Sequence, residues 1–311
     1  MRLDLAVARR FGLSRRAARD AVRSGRVDVA GETREEPGTE IAETAPLTHH
    51  PDRPARRRVR TPLRVLAEDD DLIVVEKPAG LLSVPTAERE KDTLLSRVSL
   101  YLQHRYRRRP YVGVVHRLDR DTSGALVFAR SRETLRALQR LFREHAIERE
   151  YVALVEGQPP ASGEFSAALA GDGTSEKRRL ARGGERGLHA VTRYRVLERL
   201  AGAALVSVEL ETGRTHQIRI HFAAAGHPVL GDPVYRPRRL PAPTLAAPRQ
   251  MLHARRLGFA HPAGGRLLSV ASEPPEDFAR AIAALRSPRA RKEKRPGVAG
   301  AHREREKRER V

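Results

Sequence analysis

With 311 residues, 60 Lys+Arg against 39 Asp+Glu and a formal net charge of +21, the chain has room for one sizeable catalytic domain and a small accessory one. Its positive field should draw polyanions, nucleic acid first, although the choice of Arg over Lys is also what a GC-rich genome produces. Zero cysteines exclude disulfides, thiolate zinc sites and a cysteine nucleophile, while the lack of a long apolar run or a signal-peptide core in MRLDLAVARRFG predicts a cytoplasmic protein without a membrane partner.

The first expected unit spans residues 1–48. Leu3, Leu5, Ala6 and Ala8 lead into Arg9-Arg10. Ser14 then caps a second helical stretch, Arg15 to Ser24, which Gly25 stops before a short strand, Arg26 to Val29, and a Gly31 turn. The run RLDLAVARRFGLSRRAARDAVRSGRVDVAG resembles the S4-like RNA-binding domain, a small α/β module. That resemblance makes Arg15, Arg16, Arg19 and Arg23 RNA-contacting candidates, against the alternative of a solvated basic hairpin. HHPDRPARRRVR, with two prolines and no apolar periodicity, reads as a basic linker over 49–61.

From residue 62 to 285 short strands and helices alternate. Asp71 to Val75 reads as a buried strand that leaves the core at Lys77-Pro78-Ala79-Gly80, which is ordinary punctuation. Tyr111 to Val115 and Ala125 to Ala129 read as two short buried strands. Between them lies HRLDRDTSG, so Asp119 should sit on a sheet rim, where chemistry is often placed. Asp119, Thr122 and Ser123 could equally build only an Asx-type turn, with Gly124 at positive φ. Leu135 to His145 has helical spacing, and Glu150 to Gly157 alternates as a strand with Tyr151, Ala153 and Val155 on one face.

In LETGRTHQIRIH, Gly213 permits a tight turn, Thr215 is the expected N-cap, and His216 to Ala225 forms a helix closed by Gly226. Residues at the spacing of His216 and His221 diverge by about 140° on a helix, so these histidines should not share a metal and are read as structural or RNA-contacting. The tail over 286–311 has hardly an apolar residue and is expected to be disordered.

HRLDRDTSG, REYVALVEG, LETGRTHQIRIHFAAAGHPVLGDPVY, LHARRLGFAHPAGG and PPEDF occur here in the order and spacing of the RluA family of RNA pseudouridine synthases, which the chain resembles over about 62–280. The resemblance implies an α+β fold: a mixed, largely antiparallel sheet with a central RNA cleft. It makes Asp119 the catalytic aspartate, acting as nucleophile or as base in a glycal route. Arg219 becomes its charge partner, Tyr151 the group that lies against the uracil and helps remove the C5 proton, and Ile218 the apolar residue beside that tyrosine. Arg117 becomes the residue that fills the space left by a flipped-out nucleotide, a phosphate clamp being the alternative. Uridine isomerisation needs no redox step, so neither cofactor nor metal is expected.

Two features depart from the family pattern. Arg149 stands where many members carry lysine, and the stretch from Glu164 to Leu188 resembles the family only loosely. A binding protein with a degenerate site is disfavoured because Asp119, Tyr151, Arg219 and Ile218 are all residues able to do the chemistry. A pyrimidine methyltransferase lacks its cysteine, and a metal hydrolase lacks a ligand cluster. The expectation is a monomeric pseudouridine synthase acting on ribosomal RNA, most naturally of the large subunit, with transfer RNA as the second substrate.

Overall fold

The computed structural model describes residues 1–53, 62–86, 90–107, 110–171 and 178–286. Contacts divide the chain into two compact units, Met1–Pro62 and Leu63–Val311.

In the first unit α1 (Leu3–Phe11) ends at Gly12 in the left-handed region, and α2 (Arg15–Arg23) starts where the Ser14 hydroxyl accepts the Ala17 N–H at 3.2 Å. Strands β1 (Val27–Val29), β2 (Glu32–Thr33) and β3 (Leu47–His49) form an antiparallel sheet in the order β2-β1-β3. Leu3, Val7, Ala18, Val22 and Val27 make its core. The start of the expected linker belongs to this unit instead. His49 pairs with Val27, and Arg53 clips the chain back by donating to both Asp28 carboxylate oxygens at 2.7 Å. The Arg53 bonds, followed by that of Thr33, hold the Asp28 carboxyl well below the usual carboxylate range. The rest of the linker, 54–61, lies outside the described residues.

The second unit is built on one mixed sheet. Its strands are β4 (Arg64–Glu68), β5 (Leu72–Lys77), β6 (Gly113–Val114), β7 (Ser123–Ala129), β8 (Glu148–Glu156), β9 (Ser162–Gly171), β10 (Arg178–Leu180), β11 (Leu188–Leu200), β12 (Ala203–Leu210), β13 (Leu252–Ala260) and β14 (Leu267–Ala271). The order is β10-β9-β11-β12-β8-β13-β7-β5-β4, with β14 on β13 and β6 on β7. Every pairing is antiparallel except that of β13 with β7, where Ala254 lies opposite Gly124. A Cβ on Gly124 would come within 2.2 Å of the Ala254 carbonyl oxygen, and its φ of 120° is one that L side chains rarely adopt, so glycine is required at this crossing. Helices α3 (Leu94–Tyr106), α4 (Arg132–Arg143), α5 (Gln217–Ala224) and α6 (Glu276–Arg286) cover the sheet.

Both faces of the central strands are buried, which is why their sequences run apolar without alternation. From β5 and β7, Ile73, Val75, Leu126 and Phe128 face a core shared with Leu94 and Val98 of α3 and Ile218 and Phe222 of α5. Their neighbours Leu72, Val74, Ala125 and Val127 face Leu138 of α4 on the other side. On β8, Tyr151, Ala153 and Val155 do share one face, and Val152 and Leu154 meet Phe278 and Leu285 of α6 on the opposite one. Each such fully buried side chain is worth about 1.5–3 kcal/mol relative to exposure.

Three local expectations need correction. The strand expected over Tyr111 to Val115 is only Gly113–Val114. Thr215 does not cap α5. His216 occupies the cap position with φ 59° and no side-chain cap bond, while the Gln217 amide oxygen accepts from the Arg214 N–H at 3.0 Å and the Thr212 hydroxyl at 2.8 Å. Arg286, placed in the tail, is the last residue of α6 and ion-pairs with Glu198. The remainder of the tail, 287–311, lies outside the described residues.

Candidate active site

Asp119 sits in the loop between β6 and β7, and five side chains from elsewhere in the chain hold that loop. The Ser83 hydroxyl donates to the Leu118 carbonyl at 2.8 Å and accepts the Leu118 N–H at 3.0 Å. Lys77, fully buried at the end of β5, donates to the carbonyls of Pro78 at 2.9 Å, Leu81 at 2.6 Å and Arg120 at 2.6 Å. Arg249 donates to the Asp121 carbonyl at 2.9 Å, the Gln250 amide to the Thr122 hydroxyl at 3.0 Å, and the Ser123 hydroxyl bonds to His253 at 2.9 Å. The loop is also a turn, Thr122 N–H donating to the Asp119 carbonyl at 3.2 Å, so the structural reading of these residues holds for the backbone while the Asp119 carboxylate points elsewhere.

That carboxylate meets α5. Arg219 is held in a fork by Asp232, Nε to Oδ2 at 2.7 Å and Nη2 to Oδ1 at 2.9 Å, which leaves Nη1 to donate to Asp119 Oδ2 at 3.0 Å. Asp119 is 24% exposed, whereas Arg219 and Asp232 are 5% and 0% exposed. The outer member of this chain of charges is therefore the one that can reach a substrate. Burial alone would lower the Arg219 pKa, but the bonds and charge of Asp232, then those of Asp119, outweigh it and raise it. Asp232 is raised by burial and lowered further by Arg219, with a net fall. The second Asp119 oxygen, Oδ1, lies 3.7 Å from His216 Nε2, whose Nδ1 is bonded to the Tyr235 hydroxyl at 2.7 Å.

Tyr151 and Ile218 are buried in the same core cluster as Leu118, the residue before Asp119. Burial pushes the Tyr151 phenol up; the Arg149 charge opposes this and that of Asp119 adds to it, so the resting hydroxyl carries its proton at neutral pH. Arg149 is itself lowered by burial. Its Nη2 donates to the carbonyls of Leu210 at 3.0 Å and Glu211 at 2.7 Å, fastening the loop before α5 to β8. A Cβ on Gly213 would come within 2.7 Å of Arg149 Nη1, so a side chain there would have to displace the Arg149 guanidinium. His116 stacks against Phe142 with ring centroids 4.7 Å apart, and burial together with Arg149 pushes its pKa down to about 3.

Asp119, Arg219, Tyr151 and Ile218 are thus brought together. Arg117 is exposed on the Asp119 loop. His221 turns away from His216 into the core, bonded to Thr192 at 2.9 Å and lowered by burial to about 4. In the first unit Arg15 and Arg16 are exposed on α2, Arg23 is half-buried, and Arg19 bonds the buried Asp4 at 2.9 Å. Among the described residues one grouping has metal-ligand proximity, Asp69, Asp71 and His261, with ligand atoms within 4.8 Å of one another. It is tied into the fold already, His261 bonding Asp69 at 3.0 Å.

The family model for RNA pseudouridylate synthases matches residues 71–224, a span that holds Asp119, Tyr151 and Arg219. The chain belongs to the RNA pseudouridylate synthase family. An S4 domain model matches residues 1–45 of the synthase. It is 38% identical over 226 residues to a ribosomal large subunit pseudouridine synthase D of Zymomonas mobilis, covering 70% of this chain and 71% of that one. It is 36% identical over 300 residues to an uncharacterised RNA pseudouridine synthase of Mycobacterium bovis, covering 92% and 94%. The solved structure of human RNA pseudouridylate synthase domain containing 4 superposes on the synthase with a TM-score of 0.60 at 26% identity, covering 72% of this chain and 93% of that one. No helix among the described residues is long and apolar enough to cross a membrane.

Lys77, Asp232 and Gln250 are the site residues that sequence reasoning misses. Lys77 reads as the punctuation of a strand end. Its signal is a lysine directly continuing the apolar run LIVVE, and the structure shows that it ties the two loops at the strand's exit together. Asp232 lies unassigned inside GDPVY, and nothing in the local sequence marks Gln250.

Proposed function

We propose that this synthase isomerises uridine to pseudouridine in large-subunit ribosomal RNA, with Asp119 as the catalytic carboxylate. The observation that carries the reading is the 3.0 Å bond from Arg219 to the one partly exposed carboxylate of a buried ion chain. In the reaction the C1′–N1 bond breaks, a C1′–C5 bond forms, a proton leaves C5 and N1 takes one up. A carboxylate beside the ribose can either attack C1′ or remove a sugar proton to release the base, and a fixed guanidinium on one oxygen keeps the other directed at the substrate. Tyr151 forms the wall against the uracil. Because its hydroxyl is protonated at rest, it accepts the C5 proton only as it passes its own onward.

A stacked uridine cannot reach Asp119, so the nucleotide is flipped out, and Arg117, exposed on the same loop, takes its place in the stack. The ribosomal substrate is supported by the name of the Zymomonas mobilis relative and by the S4 match, through which Arg15 and Arg16 of α2 offer exposed cations to RNA. In this reading the enzyme acts as a cytoplasmic monomer, and because the isomerisation is redox-neutral and needs only a carboxylate and a proton acceptor, it calls for no metal or cofactor.

The test is to map pseudouridines in ribosomal and transfer RNA from cells lacking the gene, then restore wild-type or Asp119→Asn protein. One large-subunit site should vanish and return only with the wild type. A lost transfer RNA site instead would move the substrate, and no lost site at all would remove the catalytic reading.

A further inference from the structure

The outer face of α4 has a character that the catalytic reading does not use. Arg132, Arg136, Arg140 and Arg143 are all exposed. At about 100° per residue they fall within an arc of about 80°. The opposite face carries buried Thr134 and Leu138, with Leu135, Leu141 and Phe142 packed on the core. Among the described residues none of the four guanidiniums has a carboxylate partner, although Glu133 and Glu144 flank them. Elsewhere in this unit Arg193, Arg236, Arg249 and Arg286 each reach one. The α4 arginines are therefore not held by ion pairs within the fold, although Arg140 and Arg143, in the last turn, suit the negative end of the helix dipole.

The helix also has a direction. It starts after β7 has run away from the Asp119 loop and returns along it. At its C-terminal end Phe142 stacks on His116 at 4.7 Å and lies 5.4 Å from the Arg149 guanidinium, and His145 hydrogen-bonds the Glu211 carbonyl in the loop before α5. Arg143 consequently ends near the Asp119 loop and the loop that leads into α5, although α4 itself packs on the sheet face opposite α5. Arg132 is about 16 Å up the helix axis. Arg117 and Arg120, both exposed, add two further cations on the Asp119 loop itself.

We propose that α4 is a phosphate track, whose four guanidiniums bind successive phosphates of the RNA strand flanking the target nucleotide and hold it while the loop end flips the base. The proposal rests on the RNA-modifying reading above and adds where the substrate strand runs. Exposed arginine forks suit phosphate oxygens, contact every sequence alike, and release counterions when they bind. α4 thus supplies hold and register, and leaves the choice of uridine to other parts of the protein.

The experiment uses the full chain and in vitro transcribed large-subunit ribosomal RNA. Binding is titrated against salt for wild type, for the Arg136→Gln/Arg140→Gln double variant and for the variant with all four arginines changed to glutamine. A control carries Arg195→Gln and Arg266→Gln, exposed arginines on β11 and in the β13–β14 turn. The slope of log affinity against log salt should fall by about 0.7–0.9 for each phosphate that no longer meets a guanidinium. It should fall by roughly 3 in the fourfold variant and by about half that in the double variant. The control sets the change due to the loss of two charges, doubled for comparison with the fourfold variant, and its own single-turnover modification at saturating RNA should stay within about twofold of wild type. A fourfold variant whose slope falls no further than the doubled control overturns the track. If the slope falls as expected but wild-type protein forms no pseudouridine in any RNA, the track stands and the catalytic reading is the one that fails.

Discussion

Each unit contains an arginine that forks onto an aspartate, and the two forks differ in burial and in the guanidinium edge they use, both Nη atoms in the first and Nε with Nη2 in the second. Arg53 and Asp28 in the first unit, 30% and 13% exposed, close a chain segment onto a small sheet. Arg219 and Asp232 in the second, 5% and 0% exposed, close nothing. They hold a third group, Asp119, where solvent and substrate can meet it. In water such a fork competes with hydration and gains little. In the interior it cannot be undone piecemeal, because either partner alone would be a bare buried charge. The same contact is a clip in one place and a fixed electrostatic platform in the other.

Asp119→Asn removes the carboxylate proposed to react and leaves the fork intact. Pseudouridine formation in a single-turnover assay should fall by more than about 10³-fold with the melting temperature nearly unchanged. Asp232→Ala attacks the platform itself, and denaturant unfolding should show a loss of about 3–5 kcal/mol as Arg219 is left half-compensated. Its activity should fall as well, since the guanidinium is then free to swing from Asp119.

Lys77 sharpens the comparison, being a buried cation with carbonyl partners only. Burial pushes its pKa from 10.5 down to about 7. Between those values the unfolded chain holds a proton that the folded protein has lost, so stability from this group rises with pH, and below about 7 the full penalty of burying the charge applies. Wild type should therefore gain on Lys77→Met by about 1 kcal/mol per unit as pH is raised through that window, read from denaturant midpoints at pH 6, 8 and 9. A wild-type-minus-variant difference that stays flat from pH 6 to 9 would mean that the amine stays charged when buried. Asp28→Asn should have the smallest effect: a slight drop in thermal stability, well below that of Asp232→Ala, and no change in the single-turnover rate.

How much of this was legible in the sequence follows from which signals are local. Tyr151 and its face of β8 could be read because strand alternation is a two-residue pattern, and Gly124 because a glycine after Thr-Ser implied an unusual φ. Asp119, Arg219 and Ile218 were placed by ordered motifs, and 100 residues separate the two charged ones. Their partners were not legible. Asp232 and Gln250 act through single long-range bonds that leave no periodic trace. Lys77 reads as strand-exit punctuation because a lysine continuing the apolar run LIVVE does not say which carbonyls it will meet. Thr215 looked like a cap because threonine before a helical run usually is one, yet the Gln217 side chain takes the hydrogen bonds of that turn.

The insertion of β13 between β7 and β8 has a consequence for the order in which the protein acquires its activity. Asp119 precedes β7 and Tyr151 lies on β8, but no direct ladder joins those strands; the seam is Leu252–Ala260, made late in synthesis. A nascent chain that has emerged only through Ala224 holds Asp119, Tyr151 and Arg219 but lacks the strand that joins β7 to β8. On the proposed reading, nearly the whole catalytic unit must leave the ribosome before this sheet closes, so newly made protein should act on RNA only after its own synthesis is almost done.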